Sequence, residues 1–135
     1  MQMDKTFTNP PTLSTPTGYT HVVTIAGGGK LIYISGQVSL DKSGTLVGKG
    51  DFAAQARQVH DNLVAALAAA GAKPADVVKI NSYVVNYTPE HRAVLREIRG
   101  PMFGKDKPPA STLVGVQALA LDDFMLEVEA IAAIS

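Results

Sequence analysis

Leu126-Glu127-Val128-Glu129-Ala130-Ile131-Ala132, close to the end of a 135-residue chain, alternates apolar and acidic residues and then turns wholly apolar. A period of two is that of a strand with one face on a core, and the strand is expected over Phe124 to Ile134. Just upstream, Pro109-Ala110-Ser111-Thr112-Leu113-Val114-Gly115-Val116 reads as another strand, from Ser111 to Val116. What precedes this pair decides between an alternating βαβ chain and a chain that groups its helices among antiparallel strands.

Working back, Thr88-Pro89-Glu90 offers an N-cap hydroxyl, a proline preset for the first helical position and an acid favoured by the helix dipole. Val94, Leu95 and Ile98 form the inner stripe of that helix. Gly100-Pro101 is expected to end or kink it, unless Met102 and Phe103 add a turn. Val77 to Val85 reads as a strand. From Asp51, an N-cap candidate, Phe52, Ala56, Val59, Leu63, Ala66, Leu67 and Ala70 recur every three or four residues as far as Gly71, which is one amphipathic helix. Earlier still, Asp41 to Gly44 forms a turn between Val38 and Leu46-Val47. His21 to Ile25 and Leu31 to Ser35 flank Gly27-Gly28-Gly29 and are expected to form a β-hairpin. Met1 to Thr17, with Pro10, Pro11 and Pro16, is expected to be extended. Two strands, helix, strand, helix and two strands argue for an α+β layer with both helices on one sheet face.

The length suits one domain over residues 1–135. With 46% hydrophobic and 18% charged residues, the chain is more apolar than a small monomer needs, which favours self-association. Twelve basic and twelve acidic residues balance, so no net field gathers nucleic acid or anionic lipid. Arg92, Arg96 and Arg99 recur at helical spacing beside Glu90 and Glu97 and read as a solvated helix face. The absence of cysteine excludes disulfides, thiolate metal sites and a cysteine nucleophile. The first twenty residues lack a signal-peptide pattern and no apolar run has membrane-spanning length, so the cytoplasm is the expected location.

Taken alone, the candidate residues keep bland readings. Glu127 and Glu129 share the polar face of a strand. Tyr19 can plug the end of a hairpin or meet a ligand. Ser35-Gly36-Gln37 suits either a backbone approach to a small molecule or a β-bulge. His21, His60 and His91 have no paired ligand spacing, so no metal site is expected. There is no phosphate loop, no dinucleotide-binding glycine set and no Gly-x-Ser-x-Gly.

Tyr33-Ile34-Ser35-Gly36-Gln37, the Asp51 to Gly71 helix and the two closing segments together resemble the Rid family, also called YjgF/YER057c/UK114, over nearly the whole chain. The resemblance implies a chorismate-mutase-like α+β fold with a mixed β-sheet. It also implies a homotrimer whose sheets pack around a central axis, with three clefts between subunits and no cofactor. The best-known members hydrolyse reactive enamines and imines. By resemblance, Glu127 holds or activates water at the reactive carbon, and Glu129 has a structural partner. Tyr19, Ser35, Gly36 and the backbone of Leu113 line the cleft, Leu113 standing where the family has cysteine or serine. Arg96 falls near a cleft asparagine of the deaminating members.

The departure is Ser111, which stands where the deaminating members carry an arginine. One neutral hydroxyl in place of a bidentate, charged donor is worth on the order of 2 to 4 kcal/mol less to a carboxylate. The ligand is therefore expected to be small and planar, with less dependence on a carboxylate, and classical 2-imino acid deaminase activity is expected to be low. A rival reading is a non-catalytic small-molecule sensor or interaction module. Endoribonuclease or translation-inhibiting activity, attributed to some members, has the neutral charge against it.

Overall fold

The computed structural model describes residues 3–135, leaving Met1 and Gln2, at the start of the expected extended segment, outside the described residues. The elements are β1 (Asp4–Thr8), β2 (Val22–Ala26), β3 (Lys30–Gln37), α1 (Phe52–Ala69), β4 (Val77–Val85), α2 (Pro89–Phe103), β5 (Ala110–Val116) and β6 (Leu126–Ile134), with one tight helical turn at Pro74–Asp76. This is a mixed α+β architecture with two helices. Four strands form the main sheet in the order β3-β6-β4-β5, and β1 and β2 pair separately. β6 runs antiparallel to both β3 and β4, whereas β5 runs parallel to β4.

The expected hairpin between the second and third strands does not form. β2 pairs with β1, from Thr8 opposite Val22 to Asp4 opposite Ala26, and β3 pairs with β6. Gly27 and Gly29 do take the positive φ values of a reversal, 91° and 149°. They redirect the chain from one sheet to the other instead of closing a hairpin.

α1 starts where its sequence signals place it, with the Asp51 carboxylate accepting from the Ala54 N–H at 3.1 Å. Its buried stripe is Phe52, Gln55, Ala56, Val59, His60, Leu63 and Leu67. The amide of Gln55 ties the helix to the chain entering β6, donating to Asp123 O at 2.9 Å and accepting from the Met125 N–H at 2.9 Å. α2 also starts where its sequence signals place it, after the N-cap Thr88, with Pro89 at the first position and Glu90 in the first turn. The Thr88 hydroxyl donates to Glu90 at 2.9 Å, and the Thr88 N–H donates to His91 Nδ1 at 3.0 Å. Pro101 lies inside α2, which continues to Phe103.

Residues paired across neighbouring strands share a face, so the register sorts the side chains. Ile80 is opposite Ser111 and Ala130, and Ser82 is opposite Leu113 and Val128. That face carries the core, where Ile34, Ile80, Val84, Leu126, Val128 and Ala130 meet α1 residues and Leu95 of α2. Tyr83 is opposite Val114 and Glu127, and Asn81 is opposite Thr112 and Glu129. This second face is without a helix. It exposes Tyr33 by 72%, Leu31 by 52% and Val114 by 40%, the unburied apolar surface that the composition implies.

Candidate functional site

Tyr19 reaches the sheet through its neighbour. Thr20 donates its hydroxyl to Pro108 O at 2.5 Å and its N–H to Pro109 O at 3.2 Å, which pins the segment before β2 against the chain entering β5. The result is a cavity of about 660 Å³ whose wall includes Tyr19, Tyr87, Arg96, Arg99, Ser111 and Leu113. Four candidates from the sequence, Tyr19, Arg96, Ser111 and Leu113, thus meet in one place. The volume suits a small metabolite.

Glu127, Gly36 and Ser35 lie elsewhere. Glu127 pairs with Tyr83 on the helix-free face, whereas Ser111 pairs with Ile80 on the core face, so the sheet separates the two within one protomer. Ser35 and Gly36 sit where the β3–β6 register shifts between Ile34 and Gln37, which is a β-bulge. The bulge has a second effect: a Cβ on Gly36 would overlap the Glu127 carboxylate, so only glycine allows that side chain its position. Gly36 also borders a shallow depression with Val38, Leu40 and Asn62.

The two acids of β6 have different surroundings. Glu129 accepts from Tyr83 OH at 2.5 Å and from Asn81 Nδ2 at 3.3 Å. This pairing, more than burial or the nearby charge of Glu127, pushes the Tyr83 phenol above its ordinary pKa. Glu127 is half-buried and has no side-chain hydrogen bond or ion pair among the described residues. A carboxylate held against a glycine with both oxygens uncommitted can accept a proton from water.

Sequence reasoning missed the most polar contact in the cavity. Arg99, expected on a solvated face with Arg92 and Arg96, turns inward and is part-buried. It donates Nε–H to His60 Nε2 at 3.0 Å and Nη2–H to Ser82 Oγ at 2.6 Å. His60 is 2% exposed and has Nδ1 2.7 Å from Ala56 O. Burial first, and the Arg99 charge second, push its pKa down to about 4. Burial also lowers Arg99, to about 10, so it stays cationic at neutral pH. Arg92, Arg96 and Lys105 line the same cavity. The legible signal was a His and a Ser at core-facing positions beside an arginine series of helical spacing. Among the described residues no group of three or more His, Asp or Glu could hold a metal ion, and no helix is long and apolar enough to cross a membrane.

The family model described as Endoribonuclease L-PSP matches residues 11–134. A RutC family protein of Pyrococcus horikoshii is 39% identical over 105 residues, covering 77% of this chain and 79% of the relative. A protein of Dermatophagoides farinae named 2-iminobutanoate/2-iminopropanoate deaminase is 32% identical over 108 residues, covering 78% and 80%. The crystal structure of YyfB, a Rid-family protein of Yersinia pestis, superposes with a TM-score of 0.89 at 39% identity, covering 96% of this chain and 98% of that one.

Proposed function

The chain belongs to the Rid family, and from that premise we propose that it binds and hydrolyses a small enamine, imine or related carbonyl metabolite in a cleft completed by a neighbouring copy in a homotrimer. The observation that carries this reading is the Glu127 carboxylate, without a side-chain hydrogen bond among the described residues, beside the bulge at Gly36, while Oε1 of the neighbouring Glu129 accepts from Tyr83 and Asn81. Within one protomer Glu127 faces away from the cavity that holds Tyr19 and Ser111, which is why the reading requires a second subunit. The exposed Leu31, Tyr33 and Val114 on the Glu127 face supply apolar surface for such packing.

In this reaction water adds its oxygen to the C=N carbon while Glu127 takes one of its protons. Glu127 returns that proton to the nitrogen to give a carbinolamine, then takes the proton of its new hydroxyl and passes it to the amine as the C–N bond breaks, leaving a carbonyl and ammonia. The hydroxyl of Ser111 and the rings of Tyr19 and Tyr87 orient the ligand. Ammonia release from freshly generated 2-iminobutyrate tests the proposal, with Glu127→Gln as the control. Turnover that survives this substitution assigns Glu127 a structural role.

A second reading is favoured by one residue. Ser111 on the cavity wall, in place of the arginine of deaminating members, fits a binding module that senses its ligand without turnover. Tight ligand binding with no ammonia release distinguishes it.

A further inference from the structure

Cavity charge and overall charge disagree in this protein. The chain is neutral, with twelve acids and twelve bases, yet Arg92, Arg96, Arg99 and Lys105 line the cavity and no Asp or Glu does. Three of the four cations come from α2 at successive positions of one helix face. The charged side chains on the cavity wall are therefore all cationic despite the balanced composition.

Arg99 is the part of this arrangement that a solvated helix face does not explain. A guanidinium has five N–H donors. Here one N–H goes to His60 and one to Ser82, both neutral acceptors, and no carboxylate pairs with Arg99 among the described residues. Taking a cation out of water without a counter-ion is costly, whereas an incoming anion removes that cost. The two neutral hydrogen bonds fix the plane of the fork and leave its other donors for a ligand, as a bidentate acid group requires. Tyr19, Tyr87, Leu95, Phe103 and Leu113 supply aromatic and apolar wall, which suits an organic ligand better than a bare inorganic ion.

We propose that the cavity between α2 and β5 is a site for a small organic dianion anchored on Arg99. Ser111 has removed the anion anchor expected on β5, and α2 supplies another from a different element. The ligand thus carries more negative charge than a simple 2-imino acid, reversing the expectation drawn from Ser111 alone. A dicarboxylate and a phosphate monoester share this chemistry. The inference rests on the reading of the cavity as the ligand cleft, and it concerns binding, independent of turnover.

The test is calorimetry on the intact protein at pH 7.5 in low-chloride buffer, with malonate and methyl phosphate as dianions, propionate as the monoanion and malonamide as the uncharged control. At least one dianion is expected to bind about tenfold or more tighter than propionate, and malonamide not at all. Malonate ahead of methyl phosphate identifies a dicarboxylate, and the reverse order a phosphate ester. Arg99→Gln is expected to weaken the dianion about tenfold or more, with Arg99→Lys recovering only part because a lysine lacks the fork. Should Arg99→Gln fail to fold, the exposed Arg96→Gln and Lys105→Gln carry the same test, each costing about threefold. Equal binding of propionate and both dianions overturns the inference, as does affinity indifferent to all four substitutions, or binding of a single-stranded RNA oligonucleotide where no small anion binds. Ammonia release on the same preparations separates the two readings. Dianion preference without turnover keeps the site and removes hydrolysis; turnover without dianion preference does the opposite.

Discussion

Arg99 on α2 donates to Nε2 of His60 on α1 across 3.0 Å, and this contact adds to burial in keeping His60 neutral. An acceptor Nε2 with Nδ1 turned to Ala56 O requires the neutral Nδ1–H tautomer.

Acid should therefore destabilise the fold through His60. Its pKa is about 4 in the folded protein against an ordinary 6.5, so between these values the unfolded chain binds a proton that the native one does not. The contribution is fully present above about pH 6.5 and is lost as pH falls towards about 4, amounting to about 3 kcal/mol. Urea unfolding across this range should show the loss, with a smaller slope in His60→Gln. Equal slopes in the two proteins would mean that His60 accepts a proton without disturbing the fold.

Gly36→Ala should separate activity from stability. The added methyl collides with the Glu127 side chain, which can swing away at a stability cost of about 1 kcal/mol or less. Turnover is expected to fall as far as in Glu127→Gln while the melting temperature moves by only a few degrees. Full activity in Gly36→Ala would show that the position of the Glu127 carboxylate is unimportant.

Ser111→Arg places a bidentate donor on the cavity wall opposite α2. Ammonia release from 2-iminobutyrate should rise about thirtyfold or more, the equivalent of about 2 kcal/mol. No gain would mean that the cavity differs from a deaminase cleft by more than this side chain.

Tyr33→Asp places a charge on the helix-free sheet face, where Tyr33 is 72% exposed. Sedimentation should show a trimer for the wild type and a smaller species for the variant, because an unpaired charge in a packed apolar interface is unfavourable. A monomeric wild type at micromolar concentration would remove the shared-cleft reading.

Tyr83 should ionise above the ordinary tyrosine range, because its phenol donates to the Glu129 carboxylate. Ultraviolet titration of Glu129→Gln should return that transition towards the ordinary range. An unchanged titration would place the cause elsewhere.

Local periodicity made much of this fold legible. The alternation in β6 and the apolar stripe of α1 were plain because each records one face of one element. A partner for Glu129 was implied by the family resemblance and not by periodicity, and Asn81 and Tyr83 provide it. Partner choice was another matter: three glycines signal a reversal, but nothing local says that β2 should turn to β1 and β3 to a strand about a hundred residues away. Arg99 was hidden for a related reason. Helical spacing places it with Arg92 and Arg96, while the rotation of α2 against the sheet, which turns it inward, depends on packing by distant residues.

β6 comes last among the strands but lies between β3 and β4, so most of the sheet waits for it. During synthesis β3 emerges early and has no sheet partner until β6 leaves the ribosome, and β4 can meet only β5 in the interim. The apolar edges of these strands are open for most of translation, which is the period when a chaperone has something to hold. Folding of the finished chain is correspondingly governed by long-range closure, placing it among the slower small domains, in roughly milliseconds to seconds by stopped-flow refolding.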